Sequence, residues 1–167
     1  MRNSMGPSRT SPEAGSPGPE PQRGNESSSK GMRFERFYTE PGAHPYDLLA
    51  WETRTAAITG ENGEVVFERK DVEFPTSWSH LATNVVVSKY FRGSQDSKER
   101  ETSLRQLIDR VVKTIVRWGR AQGYFAGDRD AETYEAELTH LLVNQIASFN
   151  SPVWFNVGIQ EKPQCSA

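Results

Sequence analysis

The stretch from Ser103 to Gln122 limits the fold more than any other. Leu104, Leu107, Ile108, Val111, Val112, Ile115 and Trp118 recur there at a spacing that aligns on one side of an α-helix and scatters over both faces of a strand. Ser103 and Gln106 form a capping-box pattern at the start, and Gly123 stands where a helix C-terminus belongs. Burying such side chains is worth about 1.5 to 3 kcal/mol each, which outweighs local propensity, so the rest of the fold must cover this stripe. Arg105, Arg110, Lys113, Arg117 and Arg120 fall outside it and read as a solvated face.

Two further helices are expected to supply the cover. Beyond the Tyr124–Gly127 turn, Asp128 or Asp130 caps a helix running to about Phe149, with Ala131, Tyr134, Leu138, Leu141, Leu142 and Gln145 on one face. A short loop between two such helices makes them antiparallel neighbours. Upstream, Phe74-Pro75-Thr76-Ser77 opens another helix, capped by Thr76 or Ser77, whose stripe is Trp78, Leu81, Ala82, Val85 and Val86 and whose end is Gly93. The run Val85-Val86-Val87 also suits a buried strand, but the capping residues favour the helix. Ser94–Glu101 is a charged connection and reads as a surface loop.

Ahead of these helices, Trp51–Thr59 and Glu64–Asp71 flank Gly60-Glu61-Asn62-Gly63. Alternation around an Asn-Gly turn signals a β-hairpin, with Ala57 and Val65 or Phe67 on the face that packs. Met32–Asp47 has two prolines and a glycine close together and reads as an extended segment laid over a neighbouring surface. Met1–Gly31 is Pro, Gly and Ser with few large apolar residues, so a disordered tail is expected there. The fold class is therefore α+β and mainly helical, a hairpin with three or so packed helices.

A formal net charge of -2 offers no basic footprint for nucleic acid. The single cysteine makes no internal disulfide and fits a reducing, cytoplasmic setting. No apolar run approaches the roughly 20 residues of a membrane span, and no signal-peptide core is seen at the N-terminus. His44 and His140 have no partner at metal-ligand spacing, and both read as packed or hydrogen-bonded side chains.

Chemistry points to Asn144–Ala167. The chain breaks at Asn150-Ser151-Pro152, where proline fixes the turn and removes a donor. A hydroxyl there, followed by exposed backbone N–H groups, suits an anionic group such as phosphate; a Ser/Thr turn that merely finishes the helix is the alternative. Lys89, Tyr90 and Arg92 form a basic, aromatic helix end that suits phosphate or simply the helix dipole. Val153, Trp154, Phe155 and Val157 are expected to form an exposed apolar patch.

The runs SFNSPVWFNVG and PQCSA, together with HPYDLLAWETR, VVFERKDVEFPTSWSHLATNVVVSKYFRG, SLRQLIDRVVKTI, QGYF and AELTHLLVNQ in that order, resemble the N-terminal part of adenosylcobalamin-dependent (class II) ribonucleotide reductases. The resemblance implies reduction of ribonucleoside diphosphates by thiyl radical chemistry, with a thioredoxin-type reductant and room for a homodimer. It implies three parts, a tail over 1–31, a helical and hairpin domain over 32–150, and over 151–167 the start of a ten-stranded α/β barrel that the chain otherwise lacks. Ser151 matches the position that helps hold the substrate diphosphate, and Ala167 one that gives the nucleotide a backbone contact. Asn156 and Gly158 match the continuation that shapes entry into the barrel. Cys165 lies three positions ahead of the expected reducing cysteine and receives no redox role. The radical and reducing cysteines are expected beyond Ala167 and the adenosylcobalamin site in the remainder, so this fragment alone is expected to be inactive. A non-catalytic interaction or regulatory module built on the same domain is the alternative.

Overall fold

In the hairpin, β1 (Trp51–Thr59) pairs antiparallel with β2 (Val65–Pro75), and Gly63 takes a φ of +83° in the connecting turn. This description comes from a computed structural model that describes residues 31–95 and 97–166. A tail over 1–31 therefore lies outside the described residues, apart from Gly31. Between Arg54 and Ala56 the register slips by one residue, and Asp71 sits in the bulge with a φ of +57°. A bulge reverses the parity of a strand, which is why Phe67 faces the core on one side of it and Val72 and Phe74 on the other. Ala56 is the inward apolar residue of β1, where Ala57 was expected; of the alternatives Val65 and Phe67 on β2, Phe67 packs and Val65 is exposed.

The strand β2 continues to Pro75, four residues past its expected end, so the next helix starts later. That helix, α1 (His80–Lys89), is capped by Ser79, whose hydroxyl accepts the Ala82 N–H, and not by Thr76 or Ser77. Its buried residues are Thr83 and Val87, whereas Leu81 and Val85 of the expected stripe face outward. A buried arginine sets this phase. From β1, Arg54 donates to the carbonyl oxygens of Pro75, Thr76 and Trp78 and to Thr83 Oγ1, tying the strand-to-helix turn to the sheet with Thr83 inward.

The long helix is α2 (Leu104–Ala121), and both halves of its Ser103/Gln106 capping box form. Next comes α3 (Asp128–Val143), which packs along α2 through Ala131 and Leu142. It begins at Gly127 without a side-chain cap. Asp130 instead accepts the Phe34 N–H at 2.8 Å, and Asp128 pairs with Arg120. It also ends before Phe149, because Gln145 adopts a φ of +57°. The residues from Met32 onward do lie across α3. Met32 pairs with Phe125, the Phe34 ring packs edge-on against Phe125 and Tyr134, and the Glu137 carboxylate accepts the N–H groups of Phe37, Tyr38 and Thr39 and the Thr39 hydroxyl. A short 3-10 turn, Pro45–Leu48, then leads into β1.

One core joins these elements: Phe67, Val72 and Phe74 from the sheet, Val87 from α1, Leu104, Ile108 and Val112 from α2, and Leu142 and Val143 from α3. The charged connection is not wholly solvated as expected. Arg100 and Glu101 are buried at its end, Arg100 donating to the carbonyl oxygens of Gly93 and Val87.

Candidate functional site

The Asn150-Ser151-Pro152 break opens a last helix, α4 (Ser151–Asn156). Asn150 is its cap, its side-chain oxygen accepting the Val153 N–H and its carbonyl the N–H groups of Val153 and Trp154. Pro152 has no N–H. The exposed row of backbone donors expected after Ser151 is therefore engaged, which leaves the serine hydroxyl as the polar group of this turn. Ser151 is half-buried, with its Oγ 3.0 Å from the hydroxyl of Tyr90 at the end of α1. The Tyr90 ring stacks on Phe155 of α4, with centroids 5.1 Å apart.

Beneath this pair lies Arg110 of α2, which the sequence pattern placed on a solvated face. Its side chain is mostly buried, its Nε 2.7 Å from Glu101 Oε1, and its terminal nitrogens donate to the carbonyl oxygens of Trp154, Val157 and Tyr90. Glu101 also accepts the Arg92 N–H at 2.7 Å. The guanidinium thus satisfies carbonyls at the C-terminal end of α4 while holding the end of α1 beside it. Arg105 is only partly solvated, since its guanidinium lies 3.9 Å from the Trp51 ring centroid.

The residues after α4 fold back over it. Asn150 Nδ2 donates to the Cys165 carbonyl and Asn156 Nδ2 to the Gln164 carbonyl, at 3.0 and 2.7 Å. Asn156 is thus placed by its partners as a staple of the terminal segment. Gly158 has a φ of +80° and rests directly on the Arg110 backbone. Cys165 is exposed. Ala167 lies outside the described residues.

Two cavities meet at Tyr90. One is an apolar groove of about 420 Å³ between α1, α2 and α4, lined by Trp78, Val85, Val86, Leu107, Phe149 and Trp154 among others. The other, about 540 Å³, is a polar cleft with Lys89, Arg92, Ser94, Ser97 and Glu99 on its walls. Among the described residues neither Lys89 nor Arg92 makes an ion pair, and these two cations share the cleft wall with the Glu99 carboxylate. Ser151 itself lines neither cavity. Of the expected apolar patch, Phe155 is 46% exposed but Val157 is buried; the groove beside Leu81 and Val85 carries the larger open apolar face.

His44 caps the 3-10 turn through its Nδ1, and His140 stacks on Tyr38 with its own Nδ1 buried. Among the described residues no three His, Cys, Asp or Glu side chains gather as for a metal ion, and no helix is long and apolar enough to cross a membrane.

The geometry stands beside clear relatives. A family model described as class II vitamin B12-dependent ribonucleotide reductase matches residues 52–145. A vitamin B12-dependent ribonucleotide reductase of Streptomyces coelicolor is 54% identical over 139 residues, which cover 83% of this chain and 14% of that protein. One of Rhodopirellula baltica is 52% identical over 131 residues, covering 77% of this chain and 13% of that protein, and one of Agrobacterium fabrum is 32% identical over 161 residues, with the same coverage. The chain spans about a seventh of the length of these curated relatives.

Proposed function

The chain belongs to the class II vitamin B12-dependent ribonucleotide reductase family, and on that premise we propose that it supplies the substrate-side edge of a ribonucleoside-diphosphate reductase making deoxyribonucleotides. In this reading residues 32–150 are the supporting helical and hairpin unit and 151–167 lead into the catalytic barrel. The Ser151 hydroxyl contacts the diphosphate, and the Ala167 backbone contacts the nucleotide.

The observation that carries this reading is the Tyr90–Ser151 hydrogen bond at the start of α4. A serine hydroxyl has one proton to give and two lone pairs. Either hydroxyl can donate across this bond; with Tyr90 as the donor, Ser151 has its own proton for an acceptor-only ligand, and a phosphate oxygen at pH 7 is one. Hydrogen bonds to charged groups are the stronger kind. Lys89 and Arg92, partly offset by Glu99, add a positive field from the adjoining cleft.

Vitamin B12 does not fit the described residues. Their main cavities measure about 210 to 640 Å³, and none is lined by a histidine. Drug-sized molecules occupy roughly 300 to 1,000 Å³, and a corrin with its nucleotide arm is far larger than those. We place adenosylcobalamin, the radical and reducing cysteines and the contact with a thioredoxin-type reductant elsewhere in the reductase. With one cysteine, these 167 residues hold no thiol pair, and in this reading they reduce no nucleotide by themselves.

The test is Ser151→Ala in the complete reductase containing this segment. The KM for a ribonucleoside diphosphate should rise roughly 5- to 150-fold, as for loss of about 1 to 3 kcal/mol of hydrogen bonding to a charged group. An unchanged KM would remove Ser151 from the substrate site.

A further inference from the structure

We propose that Tyr90 is a positioning residue for phosphate recognition, acting through Ser151 and not by touching substrate. The inference deepens the reading of Ser151 as a diphosphate contact and rests on it. An anion offers only acceptors, so when Ser151 donates to a phosphate oxygen its Oγ must be the acceptor toward Tyr90. The chain then runs from the Tyr90 O–H to Ser151 Oγ and from the Ser151 O–H to the phosphate, each bond polarising the next.

Tyr90 is anchored for that purpose from four sides. Its N–H donates to the Val86 carbonyl at 2.8 Å, its carbonyl accepts from Arg110, its ring stacks on Phe155, and its hydroxyl meets Ser151 at 3.0 Å. Arg110 grips the Trp154 and Val157 carbonyls with the same guanidinium. The separation between the tyrosine and α4 is therefore set by one side chain that Glu101 holds in place. A hydroxyl held on both sides in this way loses little freedom when a ligand binds, which is how a binding group is preorganised.

Tyr90→Phe keeps the ring and its stacking and removes only the hydroxyl. In the complete holoenzyme we compare Tyr90→Phe, Ser151→Ala and the double variant, measuring KM and kcat for a ribonucleoside diphosphate and inhibition by the matching ribonucleoside without phosphates. Tyr90→Phe should raise the diphosphate KM about fivefold and leave ribonucleoside inhibition unchanged. It should add nothing once Ser151 is alanine, because both changes break one chain of hydrogen bonds. An unchanged diphosphate KM in Tyr90→Phe, equal losses for diphosphate and ribonucleoside, or full additivity in the double variant would each overturn the proposal. If Ser151→Ala alone weakens the diphosphate while Tyr90→Phe does not, only the role of Tyr90 falls. If Ser151→Ala is silent, the diphosphate reading falls and this one with it.

Discussion

Arg110 Nε stands 2.7 Å from Glu101 Oε1, and the two side chains are only 11% and 10% exposed. This pair joins α2 to the end of the charged connection and, through the Trp154 and Val157 carbonyls, to α4. Removing one partner of a buried pair strands the other charge, at a cost of about 3 to 5 kcal/mol. Arg110→Met should therefore lower stability by about that much in urea unfolding, and adding Glu101→Leu should recover part of it, since an apolar pair leaves no charge stranded although the Trp154 and Val157 carbonyls still lose their donor. A loss below about 1 kcal/mol in the single variant would show that the pair does not hold α4 in place.

Gly158 tests the same junction from the backbone. An added Cβ would lie 2.6 Å from Arg110 Cγ and 2.7 Å from the Arg110 carbonyl oxygen, and the φ of +80° disfavours any L side chain. At Gly63 the φ is +83°, but nothing lies within 4 Å of the same position. Gly63→Ala should cost about 1 to 2 kcal/mol, the left-handed penalty alone. Gly158→Ala should cost clearly more, because backbone must shift as well; equal unfolding midpoints for the two variants would contradict the close packing.

The helix α2 was legible because its stripe and its capping box lie within one contiguous stretch, where period and cap agree. The phase of α1 was not, because Arg54 sets it from another element, and a buried arginine is invisible to a rule that reads charge as solvent-facing. Arg110 and Glu101 were misread for the same reason: each is buried only because the other is there. Ser151 drew attention through its neighbour Pro152, but its partner Tyr90 lies 61 residues away in sequence. No local pattern brings those two hydroxyls together; the packing of α1 and α4 on α2 does.

Glu137 should make stability depend on acid pH. Burial pushes its carboxyl up, but hydrogen bonds from the Thr39 hydroxyl and the N–H groups of Tyr38, Phe37 and Thr39 outweigh this and hold it below the usual glutamate value of 4.5. A depressed folded value means that the unfolded chain binds the proton first. The stabilisation is thus complete above about pH 4.5 and is lost as pH falls through the folded value. Glu137→Gln should flatten the acid limb of a stability-versus-pH curve below about pH 4.5. An unchanged limb would place the acid sensitivity on other carboxylates.

The apolar groove gives the last prediction. Leu81 is 74% exposed and Val85 44% exposed on the outer face of α1, Ile146 is 52% exposed after α3, and the groove between them is walled by Trp78, Val86 and Trp154. Exposed apolar area of this kind is costly in water and marks a surface that another surface covers. The purified chain should therefore bind a hydrophobic dye and self-associate as its concentration rises. Val85→Lys places a charge at the groove edge without disturbing Thr83 and Val87, the inward residues of α1. A surface change of this sort costs within about 0.5 kcal/mol, so the variant should stay folded while dye fluorescence and self-association both fall. A wild-type chain that stays monomeric and leaves the dye dark would show that this face needs no cover.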